Sequence, residues 1–224
     1  MKNKYKMLAV TATAILSLSI AGQGFAAAGP GFQENNNARI QIAVSGLQKK
    51  GILKGDHKGN LEINATLTAA QGVQLIVNAF GLNLDTIRFF KEPQATDYFT
   101  KADDKAWYAQ ALIIAGVHDL GLPKDLDPNK TWTKEEFTHY LMLAMEKNSN
   151  LPMIKLQPMD FDDKDQVSIT LDGDVQRALV LGIAKLDADR KFNPKQEISR
   201  GAAAELVYNA LEYVAAHPAP DQQS

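Results

Sequence analysis

The side chains that most often carry chemistry in proteins do not form a catalytic pattern in this chain. No P-loop, G-x-S-x-G or H-E-x-x-H motif is present. The histidines share neither a metal-binding nor a triad spacing; they are His57, His118, His139 and His217. Carboxylates could be paired on paper, but no spacing singles out one pair. We therefore predict a protein that is not an enzyme and needs no cofactor.

Two acidic clusters invite a calcium interpretation, because carboxylate oxygens are the ligands that Ca²⁺ prefers. The first cluster is Asp160, Asp162, Asp163 and Asp165, and the second is Asp187 with Asp189. Neither has the twelve-position loop with its central glycine and terminal glutamate. We interpret these residues as turn and cap residues and predict no metal site. The absence of cysteine excludes disulfides and thiolate metal sites.

The chain begins with the features of a secretory signal peptide. Three lysines precede an apolar stretch of about 14 residues, Met7 to Ile20, and Ala26-Ala27-Ala28 offers a cleavage site. The apolar stretch is shorter than the roughly 20 residues that a bilayer-spanning helix needs. We predict a signal peptide at residues 1–28, a secreted protein, and no membrane insertion after cleavage.

The charge balance excludes another class of partner. Removal of the signal peptide would change the formal net charge from −2 to −5. This argues against nucleic acid, which favours a clustered basic surface. About 195 residues remain, enough for one domain or several small units. Within them we predict a Gly- and Asn-rich flexible leader at residues 29–38 and a disordered tail at residues 217–224.

The elements that must position any site come from an internal repeat. With Gly51, Gly116 and Gly182 as origins, residue ten is Leu or Phe in each copy. Residue sixteen is large and apolar, residue seventeen is Thr or Ser, and residue twenty-eight is Ala. The origins lie 65 and 66 residues apart, and no gap is needed. The sequence therefore predicts three copies of one structural unit.

Each copy predicts a helix–loop–helix unit. The glycine ends the first helix in the left-handed conformation, and a polar loop follows with one apolar residue that packs back into the core. Thr68, Thr133 and Ser199 are expected to cap the second helices, each after an apolar staple residue. A single unit cannot bury its apolar face, so the copies must pack together. An open stack and a closed pseudo-threefold arrangement both fit.

This pattern resembles the S-layer homology (SLH) repeat, G-I-x-x-G-x-x-D-G-x-F-x-P-x-x-x-I-T-R-A-E on two helices. Copy one matches it at Gly51-Ile52, Gly55, Gly59, Leu61 and Thr68, and copy three at Phe192, Pro194, Ile198, Ser199 and Arg200. The family has an aromatic and acidic segment before each repeat. Asp97-Tyr98-Phe99 and Phe161-Asp162-Asp163 match it, and a degraded counterpart lies around Phe32.

The resemblance implies an all-α fold in which three SLH-like repeats form a compact pseudo-threefold bundle. We predict repeats at residues 39–92, 93–151 and 152–216. The resemblance also implies that grooves between neighbouring repeats bind secondary cell-wall polysaccharide. In the family the arginine of T-R-A-E holds an acidic sugar substituent, often a pyruvate ketal. A guanidinium offers a carboxylate two parallel donors, and the adjacent helix N-terminus adds amide donors.

The chain departs from the family at the residues that would bind the ligand. Only copy three keeps the arginine, Arg200; Lys134 in copy two lacks its bidentate fork, and copy one has Ala69. Trp107 lies nine residues before Gly116, where the family tryptophan lies about twelve before the glycine. It could stack on a sugar ring, but we favour partly buried packing. The predicted polysaccharide-binding residues are Arg200, Lys134, Trp107 and Asp163.

The functional prediction is a cell-wall or cell-surface module that binds anionic polysaccharide, weakly because most of the charged positions have changed. The alternative is a diverged scaffold for protein–protein contact or self-association at the surface, without polymer binding. A secreted hydrolase is kept as a formal third class.

Overall fold

The computed structural model describes residues 30–55, 59–149, 151 and 157–218. Across these ranges the regular structure is helical and no strand occurs. The α-helices are α1 (Pro30–Lys49), α2 (Ala69–Ala79), α3 (Ala109–Val117), α4 (Lys134–Asn148), α5 (Asp172–Val180) and α6 (Arg200–Ala216). Two single-turn 3-10 helices, Ala95–Asp97 and Lys164–Gln166, precede α3 and α5. The predicted all-α class is confirmed.

The predicted signal peptide lies outside the described residues, as does residue 219 onward in the predicted tail. Among the helices that are described, none is long and apolar enough to cross a membrane.

The helices pack in a cyclic order. Each second helix packs on the first helix of the following repeat, α2 on α3 and α4 on α5, and α6 closes the circle on α1. The three second helices, α2, α4 and α6, also contact one another. Such an order is what a closed pseudo-threefold bundle requires, and that symmetry for the whole chain remains our prediction.

Three backbone hydrogen bonds join the repeats in a ring. The Leu67 N–H donates to the Ile198 carbonyl at 2.9 Å, and the Trp132 N–H donates to the Leu67 carbonyl at 3.0 Å. The Ile198 N–H donates to the Trp132 carbonyl at 2.9 Å, which closes the ring. All three side chains are buried. Removal of any repeat would leave buried backbone groups of the others unpaired, which is costly.

The second helices begin as the sequence predicts. Thr68, Thr133 and Ser199 are N-caps whose hydroxyls accept a hydrogen bond from the backbone three residues on. Thr68 and Thr133 form reciprocal capping boxes, whereas Ser199 does not because Ala202 has no side chain to return the bond. These caps fix where each second helix starts, and therefore where its first side chain points.

The prediction for the end of the first helix holds in only two copies. Gly51 and Gly182 have φ of 71°. Gly116 instead lies inside α3, and Asp119, with φ of 49°, takes the left-handed position. The loop that follows is three residues shorter, because Trp132 lies thirteen residues beyond Asp119 whereas Leu67 lies sixteen beyond Gly51. The gapless alignment of the three copies is therefore wrong in copy two.

Gly116 has a different physical reason to be glycine. A Cβ atom at this position would lie 2.5 Å from the ring of Tyr98, which packs directly against the α3 backbone. The residue serves close packing and not a helix end, and a sequence pattern does not distinguish these two uses of glycine.

The prediction of a flexible leader at residues 29–38 is also wrong, because α1 begins at Pro30. This helix runs along α6, and the Arg39 Nε lies 3.0 Å from Glu205 Oε1. The helical state of residues 30–38, whose composition favours no helix, was not evident from the local sequence.

Candidate ligand-binding groove

The position of Arg200 follows directly from the cap that precedes it. Ser199 starts α6, so Arg200 is the first residue of the helix. Its Nε donates a hydrogen bond to the Leu61 carbonyl of the first repeat, at 2.8 Å. Among the described residues no carboxylate forms an ion pair with its guanidinium. The bond to Leu61 holds the side chain in place and leaves its two terminal nitrogens for a ligand.

Arg200 lies at one side of an open cavity of about 830 Å³, which we call the Arg200 groove. All three repeats contribute to it: the first supplies the loop after Gly51 and one face of α2, the second Trp107, and the third Arg200. Its polar and charged lining side chains are Lys54, Asn60, Glu62, Gln71, Gln74, Asn78 and Arg200. Among the described lining residues, two cations (Lys54 and Arg200) outnumber one carboxylate (Glu62).

Trp107 also lines this groove. Its side chain is 64% exposed and touches the Tyr108 ring edge-on, with 5.5 Å between centroids. The partly buried packing that we favoured for Trp107 is therefore wrong. Asp119, and not Gly116, is the left-handed residue of copy two. Counted from Asp119, Trp107 lies twelve residues earlier, which is the spacing expected of the family tryptophan.

The backbone amides at the start of α6 are already used. The Arg200 N–H donates to the Ala65 carbonyl at 2.9 Å, and the Gly201 N–H donates to the Ile63 carbonyl at 2.8 Å. The Ala202 N–H donates to Ser199 Oγ at 3.1 Å. The expectation that this helix N-terminus adds amide donors is wrong. An anion in the groove would be held by side chains.

Lys134 occupies the same position on α4 but has a different environment. Its Nζ lies 4.5 Å from the centroid of the Phe192 ring, the apolar residue of the third loop. Burial lowers the pKa of Lys134, while the charges of Asp187, Glu205 and Asp163 act in the opposite direction. Lys134 does not line the Arg200 groove, and the contact recorded for its ammonium is the Phe192 ring.

Asp163 has a structural role. Its side chain is buried, 3% exposed, and both oxygens accept backbone hydrogen bonds. The Phe192 N–H donates to Oδ1 at 2.8 Å and the Asn193 N–H donates to Oδ2 at 2.7 Å. Asp163 therefore holds the loop that places Phe192 in the core. The structure does not support direct contact between Asp163 and a ligand, so the proposed site does not include this residue.

Asp187 acts as a turn residue, as predicted, whereas Asp160 and Asp162 form ion pairs with Lys164 and Arg190. Asp187 Oδ1 accepts hydrogen bonds from the N–H groups of Asp189 and Lys191, each at 2.9 Å. In the ranges that the structure covers, no three acidic or histidine side chains are placed to hold a metal ion.

Sequence reasoning missed the polar side chains that α2 contributes to the groove. Gln71, Gln74 and Asn78 follow one another at intervals of three and four residues, which places them on one helix face. Gln74 Nε2 donates to Asn78 Oδ1 at 2.8 Å, and Asn78 Nδ2 donates to the Ile52 carbonyl at 3.2 Å. This polar stripe beside the apolar one was a usable signal.

Comparison with known proteins finds one matching family model and several relatives. Residues 160–204 match the family model of the S-layer homology domain. The chain is 25% identical over 223 residues to a Surface-layer 125 kDa protein of Lysinibacillus sphaericus, a match that covers 97% of this chain and 18% of the relative. It is 27% identical over 182 residues to Exoglucanase XynX of Acetivibrio thermocellus, covering 80% of this chain and 16% of the relative.

A third relative is an Amylopullulanase of Thermoanaerobacterium thermosulfurigenes, 27% identical over 182 residues, with 80% of this chain and 9% of the relative covered. The chain thus spans less than a fifth of the length of each of these three proteins.

The segment that matches the family model carries the groove's arginine. It runs from the acidic cluster at Asp160 through α5 to the first turns of α6, and so includes Arg200. The domain and the surface-layer relative indicate a location at the cell wall or cell surface. Residues 160–204 of this chain are an S-layer homology domain.

Proposed function

We propose that the chain is a non-enzymatic module that binds an anionic cell-wall polysaccharide through the Arg200 groove. The observation that carries this proposal is the Arg200 guanidinium, which lines an open groove together with an exposed tryptophan and has no carboxylate partner among the described residues. The S-layer homology domain and the surface-layer relative support cell-wall anchoring as the broader function.

The chemistry of the groove suits a sugar that bears a carboxylate, such as a pyruvate ketal. The two terminal nitrogens of Arg200 can donate to both carboxylate oxygens, and the indole of Trp107 offers a flat apolar surface for a pyranose ring. The amides of Gln71 and Gln74 can bond hydroxyl groups. With one groove of this kind and no helix amides, we expect binding to be weak.

The experiment is sedimentation with purified cell-wall sacculi, with and without their attached polymer. The wild-type chain should pellet only when the polymer is present. Arg200→Ala should weaken pelleting by about 10- to 150-fold, which corresponds to the loss of about 1.5–3 kcal/mol for a charged hydrogen bond. Arg200→Lys should be weakened as well, because an ammonium cannot form the two parallel bonds.

The matched control is Arg88→Ala, which removes the same charge at an exposed position outside the groove. Its pelleting should equal that of the wild type, and circular dichroism should show that all variants are folded. Pelleting that depends neither on the polymer nor on Arg200 contradicts the proposal.

A specific observation favours the alternative of a protein-binding scaffold. Of the three equivalent first positions of the second helices, Ala69 has no charge and Lys134 lies partly buried over Phe192. Two of these three positions therefore lack an available cation, although the N-caps that precede them are kept. Such a scaffold should pellet with sacculi that still carry their surface proteins, whether or not the wall polymer is present. Arg200→Ala should not change this pelleting.

A further inference from the structure

We propose that Trp107 separates two adjoining sugar subsites, and that the second takes an uncharged sugar next to the acidic one held in the Arg200 groove. This inference rests on the proposed function, because it assumes that a polysaccharide occupies that groove. It adds a second site, which shares Trp107 with the first, and a defined order of charged and uncharged sugars.

The second subsite is a cavity of about 810 Å³ between the segment that joins repeats one and two and the exposed face of α3. We call it the linker cavity, and its principal lining residues are Leu84, Phe89, Gln94, Trp107, Gln110 and Ile113. Among the described residues, Trp107 alone lines both this cavity and the Arg200 groove. A chain of sugars that leaves the groove over the indole would therefore enter the linker cavity.

The lining suits a neutral pyranose. Leu84 and Ile113 provide an apolar floor, and Phe89 is 39% exposed beside them. The side chain of Gln110 is exposed, and its amide has no hydrogen-bond partner among the residues described. An apolar surface with a few well-placed amides is what a sugar requires, because its ring faces are apolar and its rim carries hydroxyl groups.

The charges differ between the two cavities and decide which sugar each would take. In the Arg200 groove, Arg200 and Lys54 outnumber Glu62. In the linker cavity, Lys91 is outnumbered by Glu92 and Asp104. An acidic sugar is favoured in the first cavity and disfavoured in the second, so the ligand that fits both has an acidic unit followed by an uncharged one.

The test measures how affinity depends on fragment length. The probes are oligosaccharides released from the sacculus polymer by enzymatic digestion, which leaves an acid-labile pyruvate ketal intact. They are separated by size and titrated calorimetrically into the full chain. We expect fragments of three or more sugars to bind at least about tenfold more tightly than single acidic sugars. Gln110→Ala should weaken the longer fragments by about fivefold, the effect of one lost hydrogen bond, and leave the single sugar unchanged.

The control is Gln48→Ala, a change at an exposed glutamine of α1 that lines neither cavity. Trp107→Ala should weaken both short and long fragments, because the indole borders both cavities. Equal affinity for short and long fragments, or a Gln110→Ala variant that matches Gln48→Ala, overturns the inference while Arg200-dependent binding leaves the proposed function standing. Failure of every fragment to bind overturns both.

Discussion

Two residues at equivalent positions show how burial decides whether a charge is available. Arg200 and Lys134 each begin a second helix, and each lies over the apolar residue of a neighbouring loop. Arg200 bonds a carbonyl with one nitrogen and opens into a groove. Lys134 is partly buried over Phe192, and burial lowers its pKa. The same register therefore places an available cation in one copy and a partly desolvated one in another.

At this scale we predict that Lys134→Met stabilises the protein at pH 7. The change removes a partly buried cation from the first turn of α4, where the helix dipole also disfavours positive charge. We expect the midpoint of thermal unfolding to rise by about 2–4 °C, the shift that corresponds to about 1 kcal/mol in a protein of this size. Lys185→Met, at an exposed position, should change it little.

The stability gained by Lys134→Met should also depend on pH, and the sign of that dependence follows from the pKa shift. The pKa of Lys134 is lowered in the folded protein from its ordinary value of 10.5, so between the two values the unfolded chain binds more protons. The unfavourable contribution of Lys134 to the free energy of folding therefore becomes smaller as the pH rises through that window. The advantage of Lys134→Met should therefore shrink as the pH approaches 10.5. An advantage that grows toward alkaline pH would contradict burial as the cause.

At the scale of elements, the end of the first helix shows that one structural task can be met by different residues. The Leu120 N–H donates to the Ala115 carbonyl at 3.0 Å, as the Ile52 N–H does to Leu47 at 2.9 Å. The hydrogen-bond pattern of this helix end is kept although Asp119 replaces glycine in the left-handed position. Geometry is therefore conserved between copies where residue identity is not.

We predict that Asp119→Gly stabilises the protein by about 0.5–1 kcal/mol, because it relieves a left-handed aspartate. The ion pair with Lys147 that the change removes is worth little, since the Asp119 side chain is 86% exposed. Urea unfolding at pH 7 measures the difference. Gly182→Ala, at φ of 71°, should change stability in the opposite direction by about 1 kcal/mol.

Lys147→Ala is the control for the lost ion pair. If Asp119→Gly destabilises the protein while Lys147→Ala does not, the left-handed conformation of residue 119 cannot be the source of strain.

At the scale of the whole molecule, the ring of backbone hydrogen bonds and the cyclic helix packing tie the repeats into one body. Leu67, Trp132 and Ile198 meet at its centre, and each is 2% exposed. No repeat has a core of its own, because each second helix buries its apolar face against the next repeat. Stability is therefore expected to be a property of the three repeats together.

We predict a single unfolding transition for the whole chain. In a Trp107→Phe variant, fluorescence reports only the buried Trp132, while far-ultraviolet circular dichroism reports all helices. The two midpoints should coincide. Gly72→Ala should lower both together, because its Cβ would lie 2.4 Å from the Trp132 ring of the next repeat.

Gly173→Ala is the matched control, since nothing lies within 4 Å of a Cβ at that position in α5. Separate midpoints for fluorescence and circular dichroism would show that the repeats unfold independently.

The sequence by itself determined the helical class, the N-caps of the second helices and the position of the arginine. These depend on local rules: side chains bond backbone within three residues, and apolar spacing follows the helical period. It did not determine the end of α3, the helical state of residues 30–38 or the roles of Trp107, Lys134 and Asp163. Those depend on Tyr98 against Gly116, on α6 against α1, and on which charge faces solvent. Such contacts join residues far apart in the chain, so only the tertiary structure decides them.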